Sequence, residues 1–208
     1  RGLGDVYKRQ GMNILGAHID SPRIDVKQNP LYEDTDLAYL DTHYYGGIKK
    51  YQWVAIPLAL HGVIVRKTGE KVIINIGEDE NDPVFCISDL LVHLAQEQMT
   101  KNAKEVVEGE ALNLIVGGRP LEGEEKDAVK ANVLKLLADK YGVEEEDFLS
   151  AELEIVPAGK ARDMGFDRSM ILAYGHDDRV CAYPSMMAVL DYEGTPEYTL
   201  CCIVTDKE

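Results

Sequence analysis

Three short segments hold side chains that could do chemistry together. In GAHIDSPR, His18 and Asp20 stand two residues apart at the end of an apolar run. On a strand they project from one face, with Cα atoms about 6.5–7 Å apart. Imidazole is a common zinc ligand, and a nearby carboxylate can orient or polarise such a site. In GHDDR, Asp177 and Asp178 are adjacent between a strand-like and a helix-like stretch. That is where α/β sheets open their ligand crevice, and either carboxylate could ligate or bridge cations there. In the terminal TDKE, Asp206 and Glu208 follow the apolar run LCCIV, where a glutamate could act as general base beside a metal-activated water. Each segment alone has a plainer reading: a histidine opening a loop, a helix N-cap with Arg179 neutralising the pair, a solvated terminus. Together they are three carboxylate-bearing strand ends, one with histidine. Hard oxygen donors plus one imidazole suit a hydrolytic zinc, manganese or cobalt site.

The elements that must position these residues can be read from apolar pattern and turn chemistry. MNILGAHID reads as a short buried strand closed by Ser21-Pro22, since proline ends ladder pairing. A β-rich stretch comes next: LAYLDTHYY, then WVAIPLALHGVIVRK, a KTGE turn and KVIINIGEDE, the turn marking a hairpin. Ser88 predicts an N-cap for a helix over DLLVHLAQEQ. EEKDAVKANVLKLLADKYG predicts a second helix with Val129, Val133, Leu136 and Leu137 on one face and its end at Gly142. AELEIVPAG returns to strand. The last part reads strand (SMILAYG), polar HDDR, helix (VCAYPSMMAVLDY) and strand (YTLCCIVT), the α/β order. The ends thus read as pieces of one α/β domain (residues 11–23 and 160–208), interrupted by a β-rich insertion over 24–159. Residues 1–10 are polar and basic, join poorly to the apolar strand beginning at Met12, and read as a foreign or disordered leader.

Composition narrows the function classes. The 208 residues are 45% hydrophobic, enough for a core, and carry 22 basic against 37 acidic side chains, a net charge of −15. Residues 70–154 hold 21 acidic and 8 basic residues, so −13 of that charge lies in the middle of the chain. So acidic a surface repels nucleic acid and anionic lipid. No apolar run approaches the roughly 20 residues of a membrane helix, so a soluble protein is expected, and the cysteine usage fits a reducing, cytoplasmic compartment. Cys86, Cys181, Cys201 and Cys202 lack CxxC spacing and read as buried free thiols. No GxSxG elbow or catalytic-cysteine pattern supports covalent catalysis. GEDENDP lacks the ligand alternation of a calcium loop.

The ordered series GAHIDSPR, KQNPLYED, LAYLDTHYYGGIKKYQW, PLALHG, SAELEIVPAG, ARDMGFDRSMI, GHDDRVCAY and terminal DKE resembles the aspartyl aminopeptidase/aminopeptidase I family of dinuclear zinc exopeptidases, over residues 11–208. The resemblance implies a partial three-layer α/β/α zinc-peptidase domain with an inserted dimerisation domain, and a chain corresponding to the middle half of such an enzyme. It implies two divalent ions, zinc first, with cobalt or manganese as substitutes. His18 matches a zinc ligand, Asp20 the carboxylate supporting that centre, and Asp177 the ligand bridging the two metals. Glu208 matches the general base, first of a glutamate pair whose second member, a metal ligand, falls beyond this sequence. On that count this chain alone is expected to be inactive. The inserted domain implies dimers or larger homo-oligomers, and in relatives a histidine from it reaches the neighbouring subunit's site. His93, on the helix predicted after Ser88, is the candidate for that contact. The expected activity is hydrolysis of peptide N-terminal residues, with Asp or Glu suggested by the family name. Two alternatives stand beside it: another co-catalytic zinc hydrolase (carboxypeptidase or deacylase), and a non-catalytic assembly piece.

Overall fold

The computed structural model describes residues 11–207, so the leader and Glu208 lie outside the described residues. The chain is mixed α/β, and the described residues divide into two compact units, one formed by residues 11–21 together with residues 162–207, the other by Pro22–Ala161.

In the first unit, β1 (Met12–His18) pairs in parallel with β10 (Thr199–Thr205), His18 standing opposite Thr205. The ladder continues one step further, Ile19 N–H donating to Thr205 O at 2.8 Å. A short hairpin, β8 (Arg162–Met164) with β9 (Met170–Leu172), precedes helix α2 (His176–Leu190), which packs against β1 and β10. The expectation of a buried first strand is corrected. Met12, Ile14 and Leu15 are exposed, because a two-stranded ladder with one helix against it cannot enclose both faces. For the same reason the described residues do not form three layers. Cys181 on α2 is likewise exposed rather than buried, and none of the four cysteines is in a disulfide.

The second unit is a six-stranded sheet of order β5-β4-β7-β2-β3-β6, every pair antiparallel. Its strands are β2 (Arg23–Asp34), β3 (Leu37–Tyr45), β4 (Leu58–Val65), β5 (Lys71–Ile76), β6 (Leu114–Gly117) and β7 (Ala151–Pro157). Ile24, Leu58, Ile64, Leu112, Leu114 and Ile155 are all but inaccessible to solvent and anchor the core. The sequence hides β2: polar Lys27, Gln28 and Asn29 and then Pro30 interrupt its alternation. The ladder to β3 shifts register between Val26 and Leu31, the irregularity that lets a proline sit inside a strand.

Helix α1 (Ala128–Tyr141) ends as its sequence predicts. Gly142 takes a φ of 61°, and its N–H and that of Val143 close back on Ala138 and Leu137. Its first turn is served by a strand: Glu33 of β2 accepts from the N–H groups of Val129 and Lys130, each at 2.9 Å. A carboxylate there satisfies orphan donors and faces the positive end of the dipole. Val129, Val133 and Leu137 pack on the core with Leu134, whereas Leu136 is exposed, contrary to its expected place in the stripe.

The helix expected over DLLVHLAQEQ does not form. Turns run through this segment, and a single 3₁₀ turn covers Gln98–Thr100. The Asp89 carboxylate accepts from its neighbour's N–H on Leu90, 2.8 Å, and from the Gln98 amide, 2.8 Å, so it competes with helical pairing. Leu90, Leu91, Val92 and Leu94 are exposed, so the residues that would have made an apolar stripe have nothing to bury against among the described residues. His93 sits in this turn, exposed, rather than on a helix face.

One position in the sheet yields a sharp stability test. Gly62 on β4, opposite Leu153 of β7, has a φ of 141°, and a Cβ there would lie 2.0 Å from Glu152 O. The backbones approach too closely for any side chain. Gly62→Ala is expected to lower unfolding free energy by at least about 2 kcal/mol, combining backbone strain with steric displacement of β7. A denaturant midpoint equal to wild type would contradict this reading of the sheet.

Candidate metal centre

β1 delivers His18 at its C-terminal end, and the chain then bends so that Asp20 folds back on the imidazole. His18 Nδ1 lies 2.9 Å from the Asp20 carbonyl and 3.3 Å from its carboxylate Oδ1. A carbonyl oxygen can only accept, so Nδ1 carries the hydrogen and the neutral ring keeps its lone pair on Nε2. Nε2 faces two more carboxylates: Asp177 Oδ1 at 3.4 Å and Asp178 Oδ2 at 3.8 Å. The ligand atoms of His18, Asp177 and Asp178 all lie within 4.8 Å of one another. The side chain of Asp20 is 3% exposed and that of Asp177 79%. One carboxylate therefore supports the ring from within and another opens to solvent.

The aspartates are carried by the start of α2, but not as an ordinary helix cap. Gly175 occupies the N-cap position at φ 89° without a side-chain bond, and Asp177 and Asp178 have non-helical φ/ψ of −86°/115° and −116°/33°. The peptide bond between them is cis. Arg179, placed by its sequence where it could neutralise the pair, instead donates from Nη1 to the Gly175 carbonyl at 3.0 Å and forms no ion pair among the described residues.

A lone pair on His18 Nε2 aimed at two carboxylates is an arrangement that wants a positive charge in its centre. Desolvation pulls the His18 pKa down, but the hydrogen bonds to the Asp20 carbonyl and carboxylate and the charges of Asp178 and Asp20 outweigh it, so it lies above the ordinary histidine value. The same field acts on Cys181, one turn along α2, whose thiol pKa is raised by hydrogen bonding to Asp178, by desolvation and by both aspartate charges. One imidazole nitrogen and carboxylate oxygens are also the donor set a divalent cation takes, with Asp20 oriented as the outer partner of a metal-ligating histidine. The residues fit such an ion.

The other sequence-selected residues divide. Asp206 follows β10 and is exposed, Glu208 lies outside the described residues, and His93 belongs to the other compact unit. Asp178 joins the cluster although the family resemblance singles out only Asp177; its adjacency in HDDR is the one signal the sequence offers.

Known proteins resemble this chain along nearly its whole described length. The sequence profile described as Aminopeptidase I zinc metalloprotease (M18) matches residues 3–208. A probable M18 family aminopeptidase 1 of Clostridium acetobutylicum is 64% identical over 199 residues, covering 95% of this chain and 43% of the relative. The crystal structure of an M18-family aminopeptidase from Thermotoga maritima matches with a TM-score of 0.85 at 52% identity, over 93% of this chain and 42% of that one. The crystal structure of aminopeptidase I from Clostridium acetobutylicum gives 0.84 at 63% identity, covering 94% and 43%. The chain thus spans less than half the length of these relatives.

Proposed function

Because the chain belongs to the aminopeptidase I zinc metalloprotease family, M18, we propose that the whole protein is a metal-dependent aminopeptidase that removes N-terminal residues from peptides. The observation that carries this reading is the convergence of His18 Nε2 on Asp177 and Asp178 while Asp20 holds Nδ1. His18 and Asp177 would hold the ion, Asp177 as the bridging carboxylate of a pair of zinc ions. A bound divalent cation supplies Lewis acidity toward the scissile carbonyl and lowers the pKa of water.

The chain's own residues do the rest. Asp20 fixes the His18 tautomer so that Nε2 faces inward. Glu208 is assigned the proton transfer, its carboxylate taking a proton from the attacking water and delivering it to the leaving amine. The parallel register that sets Thr205 beside His18 supports this, since Glu208 comes three residues after that strand end. The acidic cluster also suits a substrate presenting a protonated α-amino group, which a carboxylate recognises by charge.

The Pro22–Ala161 unit is the part we assign to assembly, as a domain inserted into a three-layer catalytic domain. Its exposed Leu91, Leu94 and Met99 form the kind of apolar surface that homo-oligomers cover. A cytoplasmic location belongs to the same reading; no helix among the described residues is long and apolar enough to cross a membrane.

A substrate panel tests the class. The zinc-, cobalt- or manganese-loaded whole protein should cleave peptides with free N-terminal Asp, Glu or Leu and leave N-acetylated counterparts and acyl-amino acids intact. Faster turnover of acyl-amino acids or of C-terminal residues would move it to the deacylase or carboxypeptidase class.

A further inference from the structure

The carboxylates facing His18 come from backbone that is not helical, so the hydrogen bonding of α2 does not fix where Asp177 and Asp178 point. Contacts made on the turn itself must do so. Arg179 closes its entry by donating to Gly175 O, 3.0 Å away. The second contact comes from far along the sequence: Ser21 Oγ donates to the Asp177 carbonyl at 2.6 Å, across a separation of 156 residues.

Three features set this hydroxyl apart from a buried polar group taking the nearest acceptor. Ser21 is buried, 7% exposed, and among the described residues its hydroxyl has no other partner. It directly follows Asp20, whose carbonyl and carboxylate hold His18 Nδ1. It also lies beside the entry to the turn: a Cβ at Gly175 would stand 3.6 Å from Ser21 Oγ, at ordinary van der Waals contact. Four consecutive residues, 18–21, therefore present the imidazole, orient it and grip the backbone that carries the opposing carboxylates.

We propose that Ser21 is a positioning residue of the metal centre, whose hydroxyl, by holding the Asp177 carbonyl, sets the spacing between the aspartate carboxylates and His18 Nε2. This rests on the reading of His18 and Asp177 as metal ligands. The hydrogen bond contributes no ligand atom. Its loss removes the tie on the Asp177 carbonyl and frees the turn to relax away from the imidazole, so the cost falls on preorganisation of the site. Outer partners of ligating groups characteristically change metal affinity by about 10–100-fold when removed.

The test titrates cobalt(II) into the metal-free whole protein and follows visible absorption, with thermal unfolding of each metal-free variant alongside. Ser21→Ala is expected to weaken cobalt binding about 10–100-fold and to alter the absorption band, while Ser21→Thr, which keeps the hydroxyl, stays close to wild type. Ala182→Gly weakens the same helix without touching the tie and should leave affinity and spectrum unchanged. His18→Ala should lose the signal of this site. Wild-type affinity and spectrum in Ser21→Ala, with His18→Ala defective, would overturn the positioning role and leave the ligand assignment standing. Equal loss in the Ala and Thr variants would assign the effect to packing and overturn it too. An unchanged signal in His18→Ala would remove the ligand assignment and Ser21's role with it.

Discussion

The Asp177→Asn substitution in the whole protein is expected to lower peptide turnover by more than about 10³-fold with little loss of stability. Asparagine keeps the volume and one oxygen but removes the negative charge that faces His18 Nε2 at 3.4 Å. Loss of a single preorganised electrostatic contact at a reaction centre already costs about 10²–10³ in rate. A carboxylate assigned to bridge two cations does more than that, because its loss weakens both. Its side chain is 79% exposed, so the fold has little to lose. Asp206→Asn is the matched control: the same change on an exposed aspartate just past β10 should leave turnover within a few-fold of wild type. Comparable losses in the two variants would show that acidic charge in general, rather than Asp177, carries the activity.

Removal of divalent cations should have an effect of similar size. Dialysis of the whole protein against a chelator is expected to abolish aminopeptide hydrolysis, and zinc, cobalt or manganese to restore it. The stability readout is independent of turnover. A ligand that binds only the folded state stabilises it by RT ln(1 + [L]/Kd), about 2.7 kcal/mol at a hundredfold excess over Kd. Zinc should therefore raise the melting temperature of the wild-type protein, and raise it much less in His18→Ala, which lacks the sole imidazole in the cluster. Activity that survives chelation, or zinc stabilisation that ignores His18, would count against the centre described above.

Much of the architecture is legible in the sequence because local chemistry and tertiary structure agree there. The β3, β4 and β5 runs read as strands, and the Arg66–Glu70 turn closes β4 onto β5 through paired backbone bonds. Gly142 marks the end of α1 because only a residue at ease with positive φ closes that helix. Where the two levels disagree, the reading fails. β2 escapes it because Pro30 and the polar residues before it break the alternation, and only a register shift against β3 accommodates them. The helix predicted after Ser88 is absent because Asp89 bonds its neighbour's N–H and the leucines find no partner to bury against.

The site is legible in its parts and illegible in its assembly. His18, Asp20 and the HDDR aspartates are each weak signals, since spacing along a chain says nothing about residues 156 or more positions apart. Their convergence depends on a parallel β1–β10 ladder and on a non-helical start to α2, neither of which is a local property. The role of Ser21 is invisible for the same reason: a serine before a proline reads as a strand stop. Only its bond to the Asp177 carbonyl gives it another meaning.

Anomalous diffraction at the zinc absorption edge, from crystals of the zinc-loaded whole protein, locates the bound ion itself. The predicted result is a peak bonded to His18 Nε2 and to an Asp177 carboxylate oxygen, at about 2.0–2.2 Å from each, with Asp20 retained on Nδ1. Zinc bound elsewhere, with His18 Nε2 still facing bare carboxylates, would contradict it.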